Sequence, residues 1–164
     1  MSTPPTEIVD HIFGFLDALS DSEYNDLKTC AEAHPFLLKS AERYLFSDIR
    51  VTRQRICRAI SPSQFIDVLR DKPHVANYVY ALGLGLRAHS VDLVVQKDLE
   101  DMSFIMSKLL RLKNIEIKAS KAFNSRWPTL SKPFREAFIN CLGLPSIKKV
   151  AIIQIYKFPM ITFG

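Results

Sequence analysis

Four short apolar segments recur along this chain at a nearly constant interval. Ile49, Leu82 and Ile115 stand 33 residues apart, and Val150 follows 35 residues after Ile115. The match is wider than one position. Leu109-x-x-Leu112-x-x-Ile115-x-Ile117 repeats as Leu144-x-x-Ile147-x-x-Val150-x-Ile152 and, earlier, as Ala76-x-x-Val79-x-x-Leu82-x-Leu84. One step further back only Phe46-x-x-Ile49-x-Val51 survives. A fixed period of this size marks an array of similar units, each of which buries its apolar face by stacking on the next. Around each anchor, apolar and polar residues alternate, which predicts half-buried strands at 46–51, 80–86, 114–118 and 149–155. The last is the most apolar and is expected to be the most buried.

A helical stretch precedes each strand after the first. Ser61-Pro62 supplies a cap and a helix-opening proline for a run carrying Phe65, Ile66 and Leu69. Residues 98–110 carry Leu99, Met102, Ile105, Met106 and Leu109 at helical spacing, and Ser131-Lys132-Pro133 opens a run with Phe134, Phe138 and Leu142. Helix, tight link and strand, three times over, predict parallel strands joined by right-handed crossovers.

The N-terminal segment is different. Pro4 and Pro5 stand before an apolar-periodic run, Thr6 is placed to cap it, and Glu7 puts negative charge in its first turn. Ile8, Val9, Ile12, Phe13 and Leu16 then form one broad face. Two further helices are expected, at about 21–33 and 35–45, separated by the breaking pair His34-Pro35. From spacing alone the first face is an amphipathic helix packing into its own core.

The segment also resembles an F-box. The residues that carry the resemblance are Pro5-Thr6-Glu7-Ile8, then Ile12-Phe13 and Leu16, then Leu27, Cys30 and Ala33, Phe36-Leu37, and the closing Tyr44-Leu45-Phe46. Pro4 stands where the family usually has Leu, and the usual Trp of the third helix is absent. The repeats after it look like an irregular leucine-rich-repeat solenoid, longer per unit than the usual 20–29 residues and without the Asn or Cys that follows the family's strand. A small open α/β sheet without solenoid character fits the same pattern. The resemblance implies an α/β chain: a three-helix F-box-like head at 1–48 and a short leucine-rich-repeat-like βα solenoid with a parallel sheet at 49–164. It implies that the head docks a Skp-family adaptor through Pro5, Ile8, Ile12, Phe13 and Leu16, and through it a cullin, while the repeats hold a protein substrate of the ubiquitin ligase. The apolar tail at 158–164 reads as the end of a shortened array. Its alternative is a tail folded over an edge, with 150–155 inside the sheet.

Charge divides the chain at the same place. Residues 1–50 hold four Lys/Arg and nine Asp/Glu, −5, and residues 51–164 hold 18 basic and eight acidic residues, +10, which together give the net +5. The halves therefore attract one another or serve different partners. A nucleic acid is the alternative partner of the basic half. No apolar run is long enough to cross a membrane and no secretory signal is visible, so a cytoplasmic or nuclear protein is expected. Cys30, Cys57 and Cys141 are scattered, with no pairing or zinc-ligand spacing.

No catalytic constellation emerges, so no enzyme activity, metal or cofactor is expected. His11, His34, His74 and His89 are dispersed, and Gly83-x-Gly85 lies inside a strand pattern rather than in a phosphate-binding turn; there glycines are expected to let a helix pack close. A Gly-x-Ser-x-Gly nucleophile turn, which a small α/β hydrolase would need, is absent. Arg53, Arg55 and Arg58 around Cys57 read as a solvated linker, and Trp127 as a loop anchor.

Overall fold

A computed structural model describes residues 35–53, 59–86, 93–120 and 126–159, with three single positions, 11, 29 and 32. Most of the first two expected helices, including Pro5, Ile8, Ile12, Phe13 and Leu16, lies outside the described residues, as do Cys30, Cys57, His34 and His89.

The described chain is α/β. Helix α1 (Pro35–Leu45) leads into strand β1 (Asp48–Val51); β2 (Ala59–Ile60), α2 (Pro62–Asp71), β3 (Ala81–Leu86), α3 (Leu93–Lys108), β4 (Asn114–Ala119), α4 (Lys132–Leu142) and β5 (Lys149–Ile153) follow. Short 3-10 turns fill Pro73–Asn77 and Trp127–Thr129. The strands form one five-stranded sheet in the order β2-β1-β3-β4-β5, and every pairing is parallel. Helix α2 carries the chain from edge strand β2 past β1 to β3, and from β3 onward each helix crossover advances the sheet by one strand in the same direction.

The register follows the sequence period. Ile49 pairs with Leu82, Leu82 with Ile115, and Ile115 with Val150. Inside each unit the side chains alternate: Leu82, Leu84 and Leu86 are buried between partly open Ala81, Gly83 and Gly85, and Ile115, Ile117 and Ala119 between exposed Asn114, Glu116 and Lys118. A strand's period of two sends one set under the helices and the other to the opposite face. The buried set joins Phe65, Ile105, Met106, Phe134 and Phe138 in one core. Each such large side chain contributes roughly 1.5–3 kcal/mol by leaving water.

Local chemistry explains the helix starts. Gln64 N–H donates to Ser61 Oγ at 3.3 Å, and Ser61 N–H donates to Gln64 Oε1 at 3.3 Å, so α2 opens with a reciprocal capping box and Pro62 in its first turn. Ser131 occupies the same place before α4, yet its hydroxyl caps nothing and is buried without a hydrogen-bond partner among the described residues. Helix α3 is described from Leu93 and ends at Lys108, so it begins earlier than the expected 98 and stops two residues sooner. Leu109 and Leu112 are fully buried in the turn that follows it.

Two expectations are corrected and one strand is added. The fifth strand is not the most buried: Val150, Ala151 and Ile152 are half-buried and Ile153 is exposed, because β5 pairs with β4 alone among the described strands. The two-residue β2 was not anticipated. Gly83 and Gly85 do not admit a helix; they lie on the side of β3 away from Leu82 and Leu84, against Arg50 and Thr52 of the neighbouring chain segment.

Candidate protein-binding face

The helices cover one face of the sheet, and the other carries the outward set of every strand. The parallel register orders these residues in rows. Asp48, Ala81, Asn114 and Lys149 form one row, and Arg50, Gly83, Glu116 and Ala151 the next. Columns matter more than rows. Ala81, Gly83 and Gly85 give β3 almost no side-chain height, whereas β1 on one side carries Asp48 and Arg50 and β4 on the other carries Asn114, Glu116 and Lys118. Two strand spacings separate these walls, about 9–10 Å between backbones. The result is a trough of about 170 Å³ floored by β3 and walled by charge.

Both glycines shape the floor. An added Cβ at Gly83 would lie 3.4 Å from Cγ of Arg50, so the arginine stem leans over this position. At Gly85 an added Cβ would lie 2.6 Å from Thr52 Oγ1 and 2.8 Å from Thr52 Cβ. Thr52 is buried and its Cβ is fixed to the backbone, so that position excludes any side chain.

Asp48, Arg50, Glu116, Lys118 and Lys149 are exposed, and none forms a salt bridge with another described residue. Arg50 faces Glu116 across Gly83 without closing on it. An open guanidinium takes a carboxylate in a two-pronged pairing, and an open carboxylate takes an ammonium, a guanidinium or a backbone N–H. The trough is therefore fitted to a polar, mixed-charge segment of chain.

The other residues singled out in the sequence are placed elsewhere. His74 is paired with a carboxylate of α1. Its Nε2 is 2.9 Å from Glu42 Oε2, while Lys72 Nζ donates to Glu42 Oε1 at 2.6 Å. The Glu42 side chain is only 7% exposed. Burial alone would push its carboxyl up, but the hydrogen bonds and charges of His74 and Lys72 outweigh this and hold it below the usual carboxylate range. Arg53 donates through Nε to both carboxylate oxygens of Asp98, at 2.8 and 2.7 Å, and so ties the end of β1 to α3. Cys141 is buried, donates to Met106 O at 3.6 Å, and burial pushes its thiol up to about 11, which makes it inert. Trp127 is buried edge-on against Phe138 at 5.6 Å and Phe158 at 4.6 Å, the loop anchor expected of it. A wider hollow of about 510 Å³ beside it is lined by Lys132, Arg135 and Glu136, but Lys132 and Glu136 already pair at 3.7 Å.

Among the described residues no group of three His, Cys, Asp or Glu side chains is placed to hold a metal ion, and no helix is long and apolar enough to cross a membrane. No protein-family model, curated protein or solved structure matches the chain. The outward face was half legible beforehand: alternation marked Glu116 and Lys118 as the polar side of their strand. Which residues stand opposite them across the sheet depends on register, and the role of the glycine column follows only from that.

Proposed function

We propose that this protein is a substrate-receptor subunit of a Skp–cullin–F-box type ubiquitin ligase. In this reading residues 1–48 form an F-box-like head that docks a Skp-family adaptor, with Pro5, Ile8, Ile12, Phe13 and Leu16 as its apolar contact face. Residues 49–164 form an irregular leucine-rich-repeat-like solenoid that presents a protein substrate. The polypeptide supplies recognition, and bond-making belongs to the assembled ligase.

The observation that carries this reading is the in-register parallel sheet itself. Neighbouring units pair in register at intervals of 33, 33 and 35 residues and leave one charged, glycine-floored face that no described helix covers. Stacked units with one open face are how repeat proteins expose extended binding surfaces. The F-box part rests on the sequence resemblance and on chemistry: each apolar side chain that fills a partner's groove contributes roughly 1.5–3 kcal/mol.

The test is a pull-down of a Skp-family adaptor by the full chain and by its Ile8→Asp/Ile12→Asp variant. The native chain retains the adaptor and the variant loses it, with the far-UV circular dichroism of the repeats preserved. Equal retention by the variant would remove the head from the account.

A further inference from the structure

The rim formed by the residues just before each strand is strongly basic. Backbone hydrogen bonds set these residues side by side: Tyr80 N–H donates to Ser47 O at 2.9 Å, Lys113 N–H to Tyr80 O at 2.8 Å, and Lys148 N–H to Lys113 O at 2.7 Å. One strand spacing, about 4.8 Å, separates each from the next. Lys113 and Lys148 are therefore neighbours, with Arg111 and Lys149 flanking them and Lys108 at the end of α3 above. All five cations are exposed, and none forms a salt bridge with a described residue.

Acidic residues are missing from this stretch of sequence. Residues 102–115 and 137–159 contain no Asp or Glu at all. The nearest carboxylate in the register is Glu116, two residues past Asn114 on β4 and diagonal to Lys149 across the β4–β5 pair, and it forms no salt bridge with a described residue. Lys108 serves the carbonyl end of its helix, an ordinary structural role. The other four have no helix end to serve.

Aromatic surface is interleaved with the charge. The Lys113 ammonium lies 4.6 Å and the Arg111 guanidinium 5.8 Å from the centroid of the Tyr80 ring, and the Lys108 ammonium lies 5.2 Å from that of Phe104, which is 38% exposed. A ring face attracts a cation but neutralises no charge. Two cations are thus gathered on one ring, beside two more lysines, and none of the four forms a salt bridge with a described residue.

We infer that this rim binds a single-stranded nucleic acid, its phosphates on Arg111, Lys113, Lys148 and Lys149 and a base against Tyr80. A line of unpaired cations suits any polyanion. The half-buried Tyr80 ring and the exposed Phe104 ring among them favour a strand with free bases over an acidic peptide, because bases stack on aromatic side chains and carboxylates do not. The rim lies on the repeats, so this inference does not rest on the adaptor-docking head.

The experiment is fluorescence anisotropy of the full chain with a labelled 20-nucleotide oligothymidylate and oligouridylate. Binding is expected at about 0.05 M salt, with log K falling against log salt by about 0.7 for each phosphate neutralised, or about 3 for four to five contacts. Lys113→Glu/Lys148→Glu lowers affinity at least tenfold and flattens the salt slope. Tyr80→Leu lowers affinity about tenfold through lost stacking. Lys132→Glu, on α4 and outside the rim, changes neither. Should the charge-reversed pair fail to fold by circular dichroism, Arg111→Gln/Lys149→Gln carries the same prediction with a smaller loss. Absence of binding by either oligonucleotide at low salt overturns the inference. So does unchanged affinity in folded rim variants, equal displacement by a polyglutamate peptide, or equal affinity for a 20-base-pair duplex.

Discussion

Glu42 is the residue that joins the acidic half of the chain to its basic half. Its carboxylate is buried and takes hydrogen bonds from a lysine and a histidine of the next unit, so its charge is satisfied only in the folded chain. Glu42→Gln keeps the shape and removes the charge; the expected loss is about 1–2 kcal/mol at neutral pH, discounted for the half-exposed Lys72 and His74, and read as a lower Tm. Because the folded carboxyl titrates below its unfolded value of about 4.3, this contribution is complete above that pH and is lost as pH falls through the folded value. The native and variant melting curves should therefore converge as pH falls below the folded carboxyl's value. A gap that stays constant as the pH is lowered would mean the charge is not what holds the contact. Gly83 and Gly85 make a second residue-level pair. Gly85→Ala forces a Cβ into Thr52 and is expected to cost about 1–3 kcal/mol. Gly83→Ala meets only the movable Arg50 stem and should be neutral or stabilising by up to about 1 kcal/mol. Equal melting temperatures for the two alanine variants would contradict the packing described for the floor.

The elements show how far sequence periodicity reaches. Inward positions such as Leu82, Ile115 and Ile117 were legible because a strand's alternation is fixed by backbone geometry and the repeat fixes its phase. The capping box of α2 was legible because Ser61, Pro62 and Gln64 act on local backbone. Strand β2 was not, since two residues carry no period. The partial exposure of Val150 and Ile152 was not either, because burial depends on neighbours across the sheet rather than on the strand's own apolarity. The charged trough lies between these cases: each wall was visible as a polar phase, while their meeting over Gly83 is a matter of tertiary register. Trp127 tests the packing of the last unit. Its ring links α4 to the segment after β5 through Phe138 and Phe158. Trp127→Ala should cost about 3–5 kcal/mol, and a thermal shift of only a degree or two would show the ring to be dispensable.

At the scale of the molecule, the repeats share one core across β1 to β5, so they should unfold together. Trp127 is the sole tryptophan, which makes its fluorescence a reporter of the last unit alone. Denaturant curves from that signal and from far-UV circular dichroism should coincide; separated midpoints would mean the last unit melts on its own. Function is proposed at this same scale, because a substrate receptor works only if one polypeptide joins a docking head to a displaying face. The most direct test is co-purification of the intact chain with a Skp-family adaptor, followed by measurement of the complex mass in solution. The account predicts a stable one-to-one complex. A folded protein that elutes alone, with the adaptor separate, would contradict it and leave Ile8, Ile12 and Phe13 as core residues of their own domain.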